Sequence, residues 1–429
     1  MVSLDSEKWK VLKKRNFALL AAGRAGSGLG SSIFGIATMW WLLENLGPSS
    51  AGVISGLTVV GIVILRPVGG VFVDRVDRRR SLVAADAFGA VFVGILAAAT
   101  VFGNLRFEHF VLAVAGTSLS SAIISPATRS LIPEILDEDE YTAANSVMST
   151  ISNVSSLGGP ALAGVLLALF SYELVFAVNA ASYVIAAVAE FFITTTSDER
   201  VTDDDDEPFL SELREGLDSV LESGRIRRIA FSATLLNFFA SPVLLVGPAL
   251  IERNGYSAFY AGLTETLFAV GTIVAGFALM ILPERDSPAV WETEAFGAMA
   301  LTGIIFGAAG VGVLLFPDAL LPILLGAVLL SSFTSGIDDI KGDSIIQASA
   351  PDEKLGRIFG IMRTFGNVAM PLSLAATGFA LEFFGAVEIF TILAIGSLAT
   401  VVLVGYKPVF ALLTGRVVDE SGELTKNLS

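Results

Sequence analysis

Twelve long apolar runs dominate this chain, at residues 17–43, 51–73, 81–102, 110–132, 143–170, 174–194, 229–251, 258–282, 295–316, 320–340, 358–384 and 387–406. Each matches the roughly 20 residues that a helix needs to cross the hydrocarbon core of a bilayer. Backbone polar groups find no water there, so a lipid-exposed run of this kind must satisfy its own hydrogen bonds and become a helix. The expected fold class is an all-α polytopic membrane protein with twelve transmembrane helices. With 53% apolar and 16% charged residues, a soluble globular domain is excluded, and 42 glycines suit helices that approach closely in lipid.

Several function classes fall away with the same reading. No cysteine is present, which removes disulfides, thiolate metal ligands and cysteine nucleophiles, and a single histidine, His109, makes a metal site unexpected. A net charge of −15 argues against a nucleic-acid partner. No phosphate-binding loop of the type Gly-x-x-x-x-Gly-Lys-Ser/Thr occurs, nor a hydrolase serine elbow, so neither ATP-driven transport nor an enzyme is expected, and no cofactor.

Orientation follows from the basic residues, because Lys and Arg resist translocation. With the N-terminus inside, 22 of the 27 fall on the cytoplasmic side, Arg129 near the inner end of its run among them; Arg24, Arg66 and Arg363 lie within runs, and Arg106 and Arg253 outside. Both termini are expected in the cytoplasm of a cell-membrane protein. The one long connection, 195–228, carries the acidic stretch Asp203 to Glu207 and then a short amphipathic helix opened by Pro208. It divides the chain into a six-helix bundle at 1–194, the linker at 195–228, a second bundle at 229–406 and a tail at 407–429. A proline followed by acidic residues recurs after the fourth run (Pro133) and after the tenth (Pro351), a faint repeat that predicts two pseudo-symmetric bundles with a substrate cavity at their interface.

Between the second and third runs, Gly70 to Arg80 reads GVFVDRVDRRR. This resembles the signature loop of the major facilitator superfamily, with Asp77 where that family usually has glycine. Further stretches resemble the branch containing enterobactin exporters and macrolide efflux proteins: Asn16-Phe17 through Arg24, Ser125-Pro126-Ala127, Gly159-Pro160 to Gly164, Asn179 to Tyr183, and Gly356-Arg357. The resemblance spans residues 16–406. It implies secondary transport by alternating access, most often export of amphipathic compounds. Two departures stand out: the basic residue often found mid-way along the fourth span is missing, and the antiporter glycine-proline pattern of the fifth is partial.

Candidate site residues follow from charge and depth. Gly70, Asp74, Arg75 and Arg78 form a candidate cytoplasmic gate, Asp74 ending one helix while arginines open the next; a topology anchor is the competing role. Charges inside a membrane are costly and are usually paired or functional. Loop arithmetic places Arg66 level with Asp86, Asp339 level with Arg363, and Arg24 level with Glu190, while Asp338 and Lys341 share a helix face. These eight form a candidate intramembrane charge network, either moving with transport or bracing each bundle. Glu265 has no cation at its depth, which fits proton or substrate coupling, or a hydrogen bond to a neighbouring helix. Asn237, Asn367 and Tyr183 are candidate cavity residues.

The expected function is proton-coupled export of small amphipathic compounds of drug or siderophore type, by a monomer whose partners are substrate, protons and the lipid bilayer. A lysolipid flippase, a solute importer of the same fold, and a non-transporting membrane sensor remain as alternatives.

Overall fold

The computed structural model describes residues 7–74, 76–195, 217–218, 220–281, 287–351 and 354–404, with 417–418 and 424–425. A 3-10 turn at Glu7–Lys13 leads into α1 (Arg15–Leu46), followed by α2 (Pro48–Asp74), α3 (Arg78–Val101), α4 (Phe107–Ile135), α5 (Tyr141–Leu169) and α6 (Tyr172–Phe191). After the linker come α7 (Gly224–Ala240), α8 (Val243–Arg253), α9 (Ala258–Ile281), α10 (Pro288–Leu315), α11 (Leu320–Ser349), α12 (Leu355–Val368), α13 (Met370–Phe383) and α14 (Ala386–Val404). Two two-residue strands, Val417–Val418 and Leu424–Thr425, pair antiparallel in the tail. Most of the amphipathic helix expected in the linker lies outside the described residues.

Eleven stretches are long and apolar enough to cross a membrane, with Gly224–Arg253 and Ile358–Phe383 each counted as one despite an internal break. The twelfth expected span, α1, has 32 residues but a middle that reads GRAGSGLGSS. Its glycines and serines lower its hydropathy because this stretch faces neighbouring helices and a polar pocket rather than lipid.

The chain divides into two compact units, Met1–Asp203 with Gly255–Leu263, and Asp204–Asn254 with Thr264–Ser429. In the first, α1 packs on α5 and α6, α3 on α4 and α6, and α2 on α4. Close approach depends on small residues. A Cβ added at Gly30 would strike Ser182 and Asn179 of α6, and one at Gly69 would strike the carbonyl oxygen of Ala122 on α4. That carbonyl is the one Pro126 leaves without its helical donor, since proline has no N–H. Despite Pro126, Pro133 and Pro160, α4 and α5 run unbroken.

In the second unit, α10 packs on α11 and α14, and α7 on α12 and α14. Two spans that read as continuous apolar runs are interrupted. The seventh breaks at Ser241–Pro242 between α7 and α8, the eleventh at Ala369 between α12 and α13, one residue before Met370-Pro371.

Candidate functional site

Arg24, on α1, is the centre of charge of the first unit. Its Nη2 bonds Asp86 Oδ2 of α3 and lies 2.6 Å from Glu190 Oε1 of α6. Arg24 is 8% exposed and both carboxylates are fully buried. Arg24 and Glu190, matched by depth, thus meet. Asp86, matched in sequence with Arg66, instead takes Arg24 as its partner; the side chain of Arg66 lies outside the described residues. Depth along a span does not report rotation about it, and α1 presents Arg24 to both neighbours at once. Two carboxylates facing one guanidinium carry a net −1 unless one of them holds a proton, and a buried, uncompensated charge is expensive. Arg24 Nε and Asp86 Oδ1 are buried without a hydrogen-bond partner. Beside this cluster the buried Tyr183 hydroxyl lies 3.0 Å from Ser31 Oγ.

Tyr183 and Arg24 line a cavity of about 750 Å³ in the first unit, walled by α1, α4, α5 and α6. Nine serines border it, with Thr128, Asn145, Asn153 and Arg129. A smaller cavity of about 280 Å³ continues past Ser31, Ser121 and Tyr183.

At the candidate gate, α2 ends at Asp74 and α3 begins at Arg78. Gly70 lies in the last turns of α2; the side chain of Asp74 and all of Arg75 lie outside the described residues. Asp77, the departure from the family's glycine, caps α3: its Oδ1 accepts from the Arg80 N–H at 2.7 Å, as short polar residues do at a helix start. Arg78 Nη1 pairs with Glu134 Oε1 of α4 at 2.5 Å, and Arg79 donates to the Ile193 carbonyl at 2.8 Å while lying over the Phe191 ring. Nearby, Lys14 reaches Asp137 at 2.8 Å and Glu140 at 2.5 Å, and these two hydrogen bonds hold its ammonium above the usual lysine range.

The second unit uses its polar residues differently. Pro242 removes the donor for the Phe238 carbonyl, four residues earlier, and Ser373 Oγ of α13 donates to that oxygen. At the other break the Ala369 N–H turns to the Asn367 carbonyl, and the Phe365 carbonyl accepts from Thr234 Oγ1 at 2.8 Å. Asn237 Nδ2 donates to the Gly366 carbonyl at 2.8 Å. Each break is therefore re-satisfied by side chains of the other broken span, the condition for irregular backbone at membrane depth. Of the two asparagines expected at the cavity, the Asn237 amide bridges the breaks, and Asn367 Nδ2 bonds back to the Arg363 carbonyl of its own helix.

Its charges also pair otherwise than depth predicts. Lys341 reaches Glu294 of α10 at 2.9 Å rather than Asp338. Among the described residues Asp338, 8% exposed, and Glu265, half-buried, make no hydrogen bond or ion pair, and no ion pair joins Asp339 to Arg363, both of which are exposed. Glu292, fully buried, lies 2.8 Å from Arg228 and 3.3 Å from Arg225. Glu292 and Glu294 escaped the sequence reading, as did the pairing of Glu134, whose Pro133-Glu134 stretch belongs to the family resemblance. Their signal was an acid within a few residues of an apolar run's end. No group of three or more acidic, histidine or cysteine side chains among the described residues is placed to hold a metal.

Residues 20–337 match the model of the Major Facilitator Superfamily. Macrolide efflux protein A of Streptococcus pyogenes is 23% identical over 370 residues, covering 84% of this chain and 88% of that protein. The multidrug efflux pump Tap of Mycolicibacterium fortuitum is 24% identical over 372 residues, covering 84% and 87%. Among solved structures, a bacterial homologue of the iron transporter ferroportin in its inward-facing state aligns with a TM-score of 0.69 and 19% identity, over 94% of this chain and 99% of that one. At that identity the likeness is one of fold.

Proposed function

The chain belongs to the major facilitator superfamily, a family of secondary transporters rather than enzymes, and from that premise we propose that it is a proton-coupled exporter of small amphipathic compounds. The observation that carries this reading is the buried cluster of Arg24, Asp86 and Glu190 beside a polar cavity. With one proton shared by its two carboxylates the cluster is neutral; without it the cluster carries −1. Gain and loss of that proton change the charge beside the cavity, which gives a pH gradient a handle on substrate affinity. Glu265 is a second carrier in the other unit, a carboxyl with no ion-pair partner among the described residues. Efflux by the macrolide and multidrug relatives supports the outward direction.

In this reading the basic-rich segments, both termini and the 195–228 linker are cytoplasmic. The bundles 1–194 and 229–406 alternate between inward and outward access, with Gly70, Asp74, Arg75 and Arg78 latching the cytoplasmic side. The test is transport by the purified full chain in proteoliposomes. An imposed pH gradient is expected to drive an amphipathic drug uphill, with protons moving in the opposite direction. Uphill movement that ignores the pH gradient contradicts proton coupling, and failure to move any drug contradicts export of this class.

A further inference from the structure

The cavity of the first unit says which end of a substrate it takes. Its lining is rich in hydrogen-bond donors and carries the Arg129 guanidinium. Arg24 and Arg129 border it, and among the described residues no carboxylate does. A guanidinium can donate but cannot accept. Two of the lining side chains are more than nine-tenths buried and hold a polar atom with no partner: Arg24 at Nε and Thr128 at Oγ1, each 8% exposed. A buried polar atom without a partner is costly, and a ligand acceptor that reaches it recovers that cost. Around them, the side chains of Arg129, Asn145, Ser125, Ser149 and Ser152 make no hydrogen bond or ion pair among the described residues.

Charge on the wall points the same way. The charged and titratable groups at the cluster are Arg24 of α1, Asp86 of α3, and Glu190 and Tyr183 of α6, while α4 brings the Ser121 and Thr128 hydroxyls and the Arg129 guanidinium to the same cavity. Both carboxylates are buried behind Arg24 and do not line the cavity. Arg129, on the wall itself, has no carboxylate beside it among the lining residues. A cationic ligand would meet a like charge there. An anionic one meets a counter-charge and a set of idle donors, the arrangement that makes hydrogen bonds short and strong.

We infer that this cavity holds the acidic, oxygen-rich end of an amphipathic substrate, a carboxylate or comparable anion, with Arg129 as its counter-charge and Arg24 and Thr128 as its buried donors. The inference rests on the exporter reading above and narrows it to acid-bearing amphiphiles. The apolar remainder of such a molecule meets Met148, Ile151 and Ile124 on the same wall.

The experiment compares two probes that differ only in head-group charge, a dansyl-labelled fatty acid and the dansyl alkylamine of equal chain length. Binding to the full chain in neutral-lipid nanodiscs is read by fluorescence, with empty nanodiscs subtracted. The acid is expected to bind about tenfold or more tightly than the amine, the size of one hydrogen bond to a charged group. Arg129→Gln, at an exposed position, should lower acid affinity by a comparable factor and leave the amine unchanged, with Arg129→Lys retaining most of it. Thr128→Val, nearly isosteric, should weaken the acid alone. An amine that binds as tightly as the acid, binding of neither probe, or an Arg129→Gln variant with wild-type acid affinity each overturns the assignment. Because binding is read without a pH gradient, the two claims fail separately. Acid preference without proton-driven transport contradicts the exporter reading alone, and proton-driven drug export without acid preference contradicts this assignment alone.

Discussion

The two halves of the molecule spend their polar residues on opposite tasks. In the first unit the six long helices are continuous, and charge is gathered on one buried guanidinium that faces two carboxylates. In the second, two spans are broken, and polar residues at membrane depth bridge the carbonyls at the breaks: Asn237 to Gly366, Thr234 to Phe365, Ser373 to Phe238. Prolines alone do not explain the contrast, since Pro126, Pro133 and Pro160 sit inside unbroken helices. The difference is what receives the freed carbonyl. At Ala122 it packs against Gly69 of α2, where a side chain would not fit, whereas at Phe238 a hydroxyl from another span takes the bond. A repeat of six helices has thus yielded one half of unbroken helices and one with two broken spans bridged by side chains.

The largest expected effect breaks the first half. Arg24→Gln leaves two buried carboxylates facing no cation and should lower stability by about 3–5 kcal/mol, read from thermal unfolding of the purified protein. Replacing the whole cluster with apolar residues, Arg24→Met with Asp86→Leu and Glu190→Leu, should recover most of that loss. A triple variant as unstable as the single one would show that the cluster's hydrogen bonds, not its charge balance, hold α1 to α3 and α6.

Ser373→Ala sharpens the second half. It leaves the Phe238 carbonyl without a donor and should cost about 1–3 kcal/mol. Ser27→Ala in α1 is the control: its hydroxyl adds a second bond to a Gly23 carbonyl within an unbroken helix, so its loss should matter less. Equal effects would remove the distinction between bridged breaks and intact helices.

The smallest stability effect belongs to the loop shared by neither task. Arg78 is 36% exposed where it meets Glu134, so Arg78→Gln should change stability by no more than about 1 kcal/mol. Its transport rate should nonetheless fall at equal membrane abundance. A wild-type rate would leave the loop a topology anchor.

Much of the fold was legible because span length is a property of the bilayer rather than of packing. Helices appear where all twelve apolar runs lie, eleven of them long and apolar enough to cross a membrane, and Arg24 with Glu190 followed from depth alone. Rotation about a helix axis was not legible, which is why Asp86 found Arg24 and Lys341 found Glu294. The breaks were written at Pro242 and Pro371, yet the same residue type is silent in α4 and α5, so only the tertiary partner decides. Glu292 was missed for a simpler reason. It lies just ahead of an apolar run that begins at 295, and its burial comes from Arg225 and Arg228, some 65 residues away in sequence.

The central claim is that a buried carboxylate couples proton movement to substrate movement. It is tested most directly in proteoliposomes by measuring proton flux and substrate flux together for the wild type, Glu190→Gln, Glu265→Gln and the double variant. The account predicts that the double variant keeps downhill exchange and loses all accumulation driven by the pH gradient, and that the single variant which loses most identifies the carrier. A double variant that still accumulates substrate at the wild-type proton ratio would contradict it.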